Sequence, residues 1–253
     1  MIKRLSRKDN IKCFDIKTNT KTTSIMCVGS ILKYASKYDI VWGSGFISEN
    51  DIPQKTLSDK NILCVRGPLT RKILLNNNLE CPEIYCDPGV LFPYIFNIQK
   101  NTVNGRVGII PHVIDYEKFV IENKKLPDNF IVINLYDDPK RVLQQISTCE
   151  KVISSSLHGI IVSESMGIVS GWCMLSNKVI GNGFKFKDYY LGSGRTLNDI
   201  KLNDFRTGFN INDLKFTKLG KSNIRGLLDT CPIIELTENE KTKILKYYEP
   251  YNR

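Results

Sequence analysis

The sequence is short of histidine, with only His112 and His158 among its 253 residues, and it contains two tryptophans and four methionines. So few imidazoles leave little to build a His-rich metal centre. Its eight cysteines, at 13, 27, 64, 81, 86, 149, 173 and 231, form no C-x-x-C pair, which argues against a structural zinc site. No apolar run approaches the roughly 20 residues needed to span a bilayer. Met1-Ile-Lys-Arg carries charge, but no apolar stretch follows it, so no secretory signal is expected. The expected compartment is cytoplasmic and reducing, with all cysteines as free thiols. There is no G-x-G-x-x-G, hence no case for a nicotinamide cofactor. Internal repeats and low-complexity tracts are missing as well.

What is present is an ordinary globular balance of 42% hydrophobic and 25% charged residues. Lys and Arg number 36 against 26 Asp and Glu, a net charge of +10. That charge suits anionic partners. A general enrichment in Lys, Asn and Ile is read as its main cause. No RNP, KH or finger pattern accompanies it, so nucleic acid is not an expected partner.

Strand and helix signals alternate along the chain. Thr23-Ser-Ile-Met-Cys-Val-Gly29, Asp39-Ile-Val-Trp-Gly43 and Asn61-Ile-Leu-Cys-Val-Arg66 read as strands. Short helices are expected over Ile31 to Ser36 and, after Gly67-Pro68, over Leu69 to Asn76. A second series follows, with strands at 106–110, 130–135, 151–154 and 168–175. Its helices run from Asp115, read as a cap, to Glu122, from Pro139 to about Thr148, and from Ser156 to about Met166. This alternation predicts an α/β protein with parallel sheets. The polar stretch 96–105 marks the expected boundary, giving an N-terminal half over 1–100 and a C-terminal half over 101–253, with a cleft between them. Lys201 to Ser222 reads as irregular, and two closing helices are expected at about 223–230 and 237–247.

In parallel α/β sheets ligands bind beyond the carboxyl ends of the strands. Four such ends carry unusual residues: Gly43-Ser44-Gly45, Arg66-Gly-Pro, Pro111-His112 and Ser154-Ser155-Ser156-Leu-His158-Gly. The serine triplet opening a helix would offer N–H groups and hydroxyls to a phosphate or carboxylate. His158, in the first turn, would exchange protons near neutral pH. Arg66 would clamp an anion bidentately unless it is an ordinary Arg paired with an acid such as Asp87. The Gly43–Gly45 loop would let backbone approach a ligand. Lys178, Lys185 and Lys187 follow the last strand of the series, where one of them would reach an anion. Glu164 reads as a helix-surface carboxylate.

These segments, together with Val28-Gly-Ser-Ile-Leu32, Asp87-Pro-Gly89 and Gly183-Phe-Lys-Phe-Lys-Asp-Tyr-Tyr190, resemble in order the polysaccharide pyruvyl transferase family. The resemblance implies two Rossmann-like halves in a glycosyltransferase-B-like fold. It implies transfer of the enolpyruvyl unit of phosphoenolpyruvate to a sugar diol of a surface polysaccharide or its lipid-linked precursor, with no cofactor and no metal. The family's arginine, histidine and lysine fall on Arg66, His158 and Lys178. A lipid-linked acceptor implies peripheral association with the inner face of the membrane. Two departures stand out. Nothing in Met1 to Asn10 matches the family's Asn-x-Gly-Asp loop, so the first βα unit is expected to be missing. Ser156 stands where several members carry an arginine. The competing readings are a nucleotide-sugar glycosyltransferase, for which Glu164 is the candidate carboxylate, and a non-catalytic remnant of the family.

Overall fold

The computed structural model describes residues 24–251. The segment Met1 to Asn10, on which the missing βα unit was judged, lies outside them. Contacts divide the chain into two compact units. Of the described residues, the first unit holds 24–88, 183–194 and 222–247, and the second holds 89–182, 195–221 and 248–251.

The first unit is built on a parallel three-stranded sheet in the order β1-β2-β3, with β1 Ile25–Met26, β2 Ile40–Trp42 and β3 Ile62–Cys64. Pairing runs Ile25 with Ile40 and Val41 with Ile62. Val65 continues into a parallel bridge with Tyr85. Helix α1 (Pro68–Asn76) begins as its sequence requires, Pro68 taking the first turn, where no amide hydrogen is needed. The helix expected at Ile31 to Ser36 is only a 3₁₀ turn, Leu32–Tyr34. Met26, Leu32, Val41, Phe46, Val65 and Leu74 form the core of this unit. Trp42 is fully buried because its indole N–H reaches the Leu227 carbonyl at 3.0 Å, which satisfies its one polar group.

The second unit holds a wholly parallel five-stranded sheet in the order β5-β4-β6-β7-β8. Its strands are β4 Val107–Ile110, β5 Phe130–Val132, β6 Lys151–Ser154, β7 Val169–Met174 and β8 Leu202–Asp204. Helix α2 (Phe92–Ile95) precedes β4, and α3 (Tyr116–Glu122), α4 (Pro139–Ser147) and α5 (Leu157–Ser165) connect the strands. Both sheets are parallel and interleaved with helices, which is a Rossmann-like α/β organisation. Asp138 caps α4, accepting from the Lys140 and Arg141 amides at 3.0 and 3.2 Å. Asp115 occupies the same position at α3 without capping it.

The expected organisation differs from the observed one in three further places. The units meet in sequence at Pro88 and Gly89 rather than within 96–105. The latter stretch is stitched to the end of α4, with Asn101 and Val103 donating to the Ser147 and Thr148 carbonyls. Residues 183–194 and 222–247 return to the first unit, so neither unit is one continuous half. They carry α6 (Phe184–Gly192), α7 (Ile224–Asp229) and most of α8 (Glu238–Tyr248). Finally, the stretch read as irregular contains the edge strand β8.

Candidate functional site

The chain leaves β4 for β5 on one side of the second unit's sheet, then crosses to β6 on the other. The crevice at the carboxyl ends of β4 and β6 is therefore a topological switch point, where α/β sheets bind ligands. His112 follows β4 there, and Ser154–Ser156 and His158 follow β6. The two loops are tied directly, the His112 amide donating to Ser155 Oγ at 2.8 Å. Ser154 Oγ lies 2.9 Å from the Ile110 carbonyl and accepts from the Ser156 amide at 3.0 Å, while the Ser155 amide donates to Ile110 at 3.2 Å.

The serines thus hold the crevice's shape, and two of the three amides expected to face a ligand already have acceptors. What faces outward is the first turn of α5, whose N–H groups have no intrahelical acceptor. Gly159 explains how that helix comes so close: a Cβ there would lie 2.5 Å from Ser154 Oγ and 3.1 Å from Ile110 Cγ2. His158, half-buried, stands in that first turn. The Nδ1 of His112 accepts from the Ile114 amide at 3.3 Å, which places any neutral-ring proton on Nε2.

Lys178 follows β7, the strand beside β6, and is exposed. Its amide donates to Ser176 Oγ at 3.0 Å, and that hydroxyl donates to Asp115 Oδ1 at 2.5 Å. Glu164 is not a surface carboxylate. It is buried in a bidentate pair with Arg195, at 2.9 and 2.8 Å, and accepts from Ser170 Oγ at 2.7 Å.

The remaining expected residues sit at the carboxyl edge of the first unit's sheet, and their chemistry is turned inward. Arg66 is 1% exposed. It pairs with Asp188 of α6, not Asp87, at 3.0 Å, and donates to Ser30 Oγ at 2.8 Å and to the Phe46 carbonyl. Asp188 in turn accepts from the Thr70 amide and hydroxyl at 2.9 and 2.7 Å. A guanidinium expected to clamp a ligand is closed instead into a protein network.

The Gly43–Gly45 loop serves that network. At Gly45 a Cβ would meet Arg66 Cζ at 2.5 Å, and at Gly43, with φ +86°, it would meet Pro88 Cδ at 2.2 Å. Ser44 Oγ donates to the Gly29 carbonyl at 2.8 Å. Lys185, on α6, lies in the same surroundings. Burial first, and then the positive charge of Arg66, push its amine down to about 8. Asp188 was invisible to local reading because its partner stands 122 residues away.

The description of the polysaccharide pyruvyl transferase family matches residues 13–176. The chain belongs to that family. An uncharacterised protein of Acanthamoeba polyphaga mimivirus is 28% identical over 211 residues, covering 77% of this chain and 72% of that one. No solved structure matches. For this family member the match runs through the whole β4–β7 series, so the crevice with His112 and His158 lies inside it. Lys178 falls just past its end, and Asp188 and Lys185 fall beyond it.

Proposed function

We propose that this transferase moves the enolpyruvyl unit of phosphoenolpyruvate to a sugar diol, giving a pyruvate ketal and inorganic phosphate. The observation that carries the reading is His158 in the first turn of a helix that opens at the switch point between β4 and β6. Phosphoenolpyruvate presents a phosphate and a carboxylate, and a helix N-terminus favours either.

In the proposed reaction His158 gives a proton to the methylene carbon, leaving an oxocarbenium-like C2. A sugar hydroxyl oxygen bonds to C2 and returns its proton to the imidazole. The C2–O bond to phosphate breaks with its electron pair as the imidazolium protonates the departing oxygen, and the second hydroxyl closes the ketal, giving its proton to the imidazole. One imidazole serves successive proton transfers. Lys178 is assigned to the departing phosphate, whose charge it meets from the neighbouring strand. Arg66 is assigned a positioning role, through Asp188 and the Gly43–Gly45 loop. The acceptor is a polysaccharide repeat or its lipid-linked precursor, met from the cytoplasmic face of the membrane.

The nucleotide-sugar alternative loses its candidate carboxylate, because Glu164 is already held by Arg195. Calorimetry with phosphoenolpyruvate, combined with phosphate release in the presence of lipid-linked sugars, tests the reading. Binding and acceptor-dependent release support it. No binding by the wild type removes it in favour of a non-catalytic role.

A further inference from the structure

The sequence holds two Asn-Gly pairs, Asn104-Gly105 and Asn182-Gly183. Such a pair is prone to react with itself, because glycine has no side chain to shield its amide nitrogen from the neighbouring carboxamide. The fold treats the two pairs in opposite ways. Asn104-Gly105 stands in the turn before β4 and is pinned. The Gly105 amide donates to Glu150 Oε2 at 2.8 Å, and the Gly105 carbonyl accepts from Asn129 Nδ2 at 2.9 Å. An amide held by a carboxylate cannot act as a nucleophile until that bond opens.

Asn182-Gly183 is open. Asn182 is exposed. Gly181, Asn182 and Gly183 have φ of +94°, +51° and +76° in succession, a left-handed run suited to glycine and asparagine. Among the described residues neither the Asn182 side chain nor the Gly183 amide makes a hydrogen bond. Asn78 and Asn97 share the positive φ, but the amides that follow them are shielded and engaged. Leu79 donates to the Leu74 carbonyl at 3.1 Å and Ile98 to the Pro93 carbonyl at 2.8 Å. Asn182-Gly183 is also where the chain passes from the second unit back to the first, and Gly183 opens α6. That helix is closely seated within the first unit: a Cβ at Gly192 would lie 2.6 Å from the Arg66 carbonyl oxygen.

We propose that Asn182-Gly183 is a self-modification site, at which Asn182 is converted through a cyclic imide to aspartate or isoaspartate. The Gly183 nitrogen bonds to Asn182 Cγ and gives up its proton. The Cγ–Nδ2 bond breaks, and ammonia leaves carrying a proton in exchange. Water then opens the imide. Breaking the new bond between Cγ and the Gly183 nitrogen yields aspartate. Breaking the original peptide bond yields isoaspartate, which routes the chain through Cβ and frees the main-chain carboxylate. Only water is consumed, and no part of the transferase chemistry is needed. Both products bring a negative charge to the positive end of α6, where a helix favours it. Isoaspartate also lengthens the main chain at the start of the helix that holds Asp188 against Arg66, so it loosens that seat and aspartate does not.

The test ages the full chain in mildly alkaline buffer and follows both pairs by peptide mapping with electron-transfer fragmentation, which separates aspartate from isoaspartate. Asn182 is expected to convert about tenfold or more faster than Asn104, the factor set by one charge-assisted hydrogen bond on Gly105. In urea the two rates should converge, because the reacting pair is the same. Glu150→Ala should accelerate Asn104 and leave Asn182 unchanged. The isoaspartyl fraction should melt below fresh protein, and Asn182→Asp should not. Equal rates in the folded chain, a ratio that urea leaves unchanged, or conversion at Asn104 first overturns the site. An isoaspartyl fraction that melts with the fresh protein overturns the effect on α6.

Discussion

Single side chains decide most of what distinguishes this molecule. Arg66 and Asp188 are both buried, and each satisfies the other. Removing one partner strands a charge, so Arg66→Ala should cost about 3–5 kcal/mol of stability, measured by urea denaturation. Arg66→Lys should recover only part of it, because an ammonium cannot reach Asp188, Ser30 and Phe46 in a fixed fork.

Lys185 gives a pH signature. Its folded-state pKa, about 8, lies below the ordinary lysine value of 10.5. Between those values the unfolded chain binds the extra proton, so stability rises with pH there and the penalty is present in full below 8. Lys185→Met should therefore be more stable than wild type at pH 7, by up to a few kcal/mol. The difference should fade towards pH 10.5, and thermal melts across that range read it directly. A constant difference would mean that packing, not charge, is at work.

The thiols behave as burial dictates. All seven described cysteines are unpaired, as expected from the sequence. Burial holds Cys149 up to about 11 and Cys64 and Cys81 up to about 12. Among the described cysteines, an aromatic disulfide reagent at pH 8 should label half-exposed Cys231 and Cys27 first, and the buried ones only on unfolding.

At the scale of elements, Gly159 is the joint that seats α5 on the sheet. Gly159→Ala should push the helix away from Ser154 and Ile110, lowering the melting temperature and reducing turnover more than phosphoenolpyruvate affinity is reduced. Calorimetry beside initial rates separates the two effects.

Strands β1 to β4, β6 and β7 were legible because each lies in a short apolar run closed by Gly, Pro or Ser, and β6 begins and ends where its sequence says. Helix α6 was not legible. Phe184, Lys185, Phe186, Asp188, Tyr189 and Tyr190 are all buried, so it has no polar stripe to give it a period. Strand β8 was missed for the reverse reason. Only Asn203 of Leu202–Asp204 is buried, and its side chain is spent on the Trp172 and Lys215 carbonyls. The switch point was partly readable, since His112 and the serine triplet each close an apolar run. Which serine atoms remain for a ligand depends on cross-strand bonds to Ile110, and no local pattern encodes those. Asp115 looked like a helix cap because Asp commonly is one, but the Ser176 hydroxyl takes its side chain instead.

For the whole molecule, the interleaving of the chain has a direct consequence. The first unit needs Asp188 from α6 and the helices of 222–247, so a fragment of residues 1–100 should lack a cooperative melt by circular dichroism. Adding a peptide of 183–247 should restore ellipticity if those segments supply the missing packing. Among the described residues no helix is long and apolar enough to cross a membrane.

The proposed transfer is tested most directly by running it in deuterium oxide with phosphoenolpyruvate and a lipid-linked saccharide and analysing the product by mass spectrometry. The expected product is a saccharide bearing a pyruvate ketal whose methyl group has gained a single deuterium, matched by one phosphate released per ketal formed. His158→Ala should lose that product by about a hundredfold or more while still binding phosphoenolpyruvate. Phosphate release with an unaltered saccharide, or full activity in His158→Ala, would contradict it.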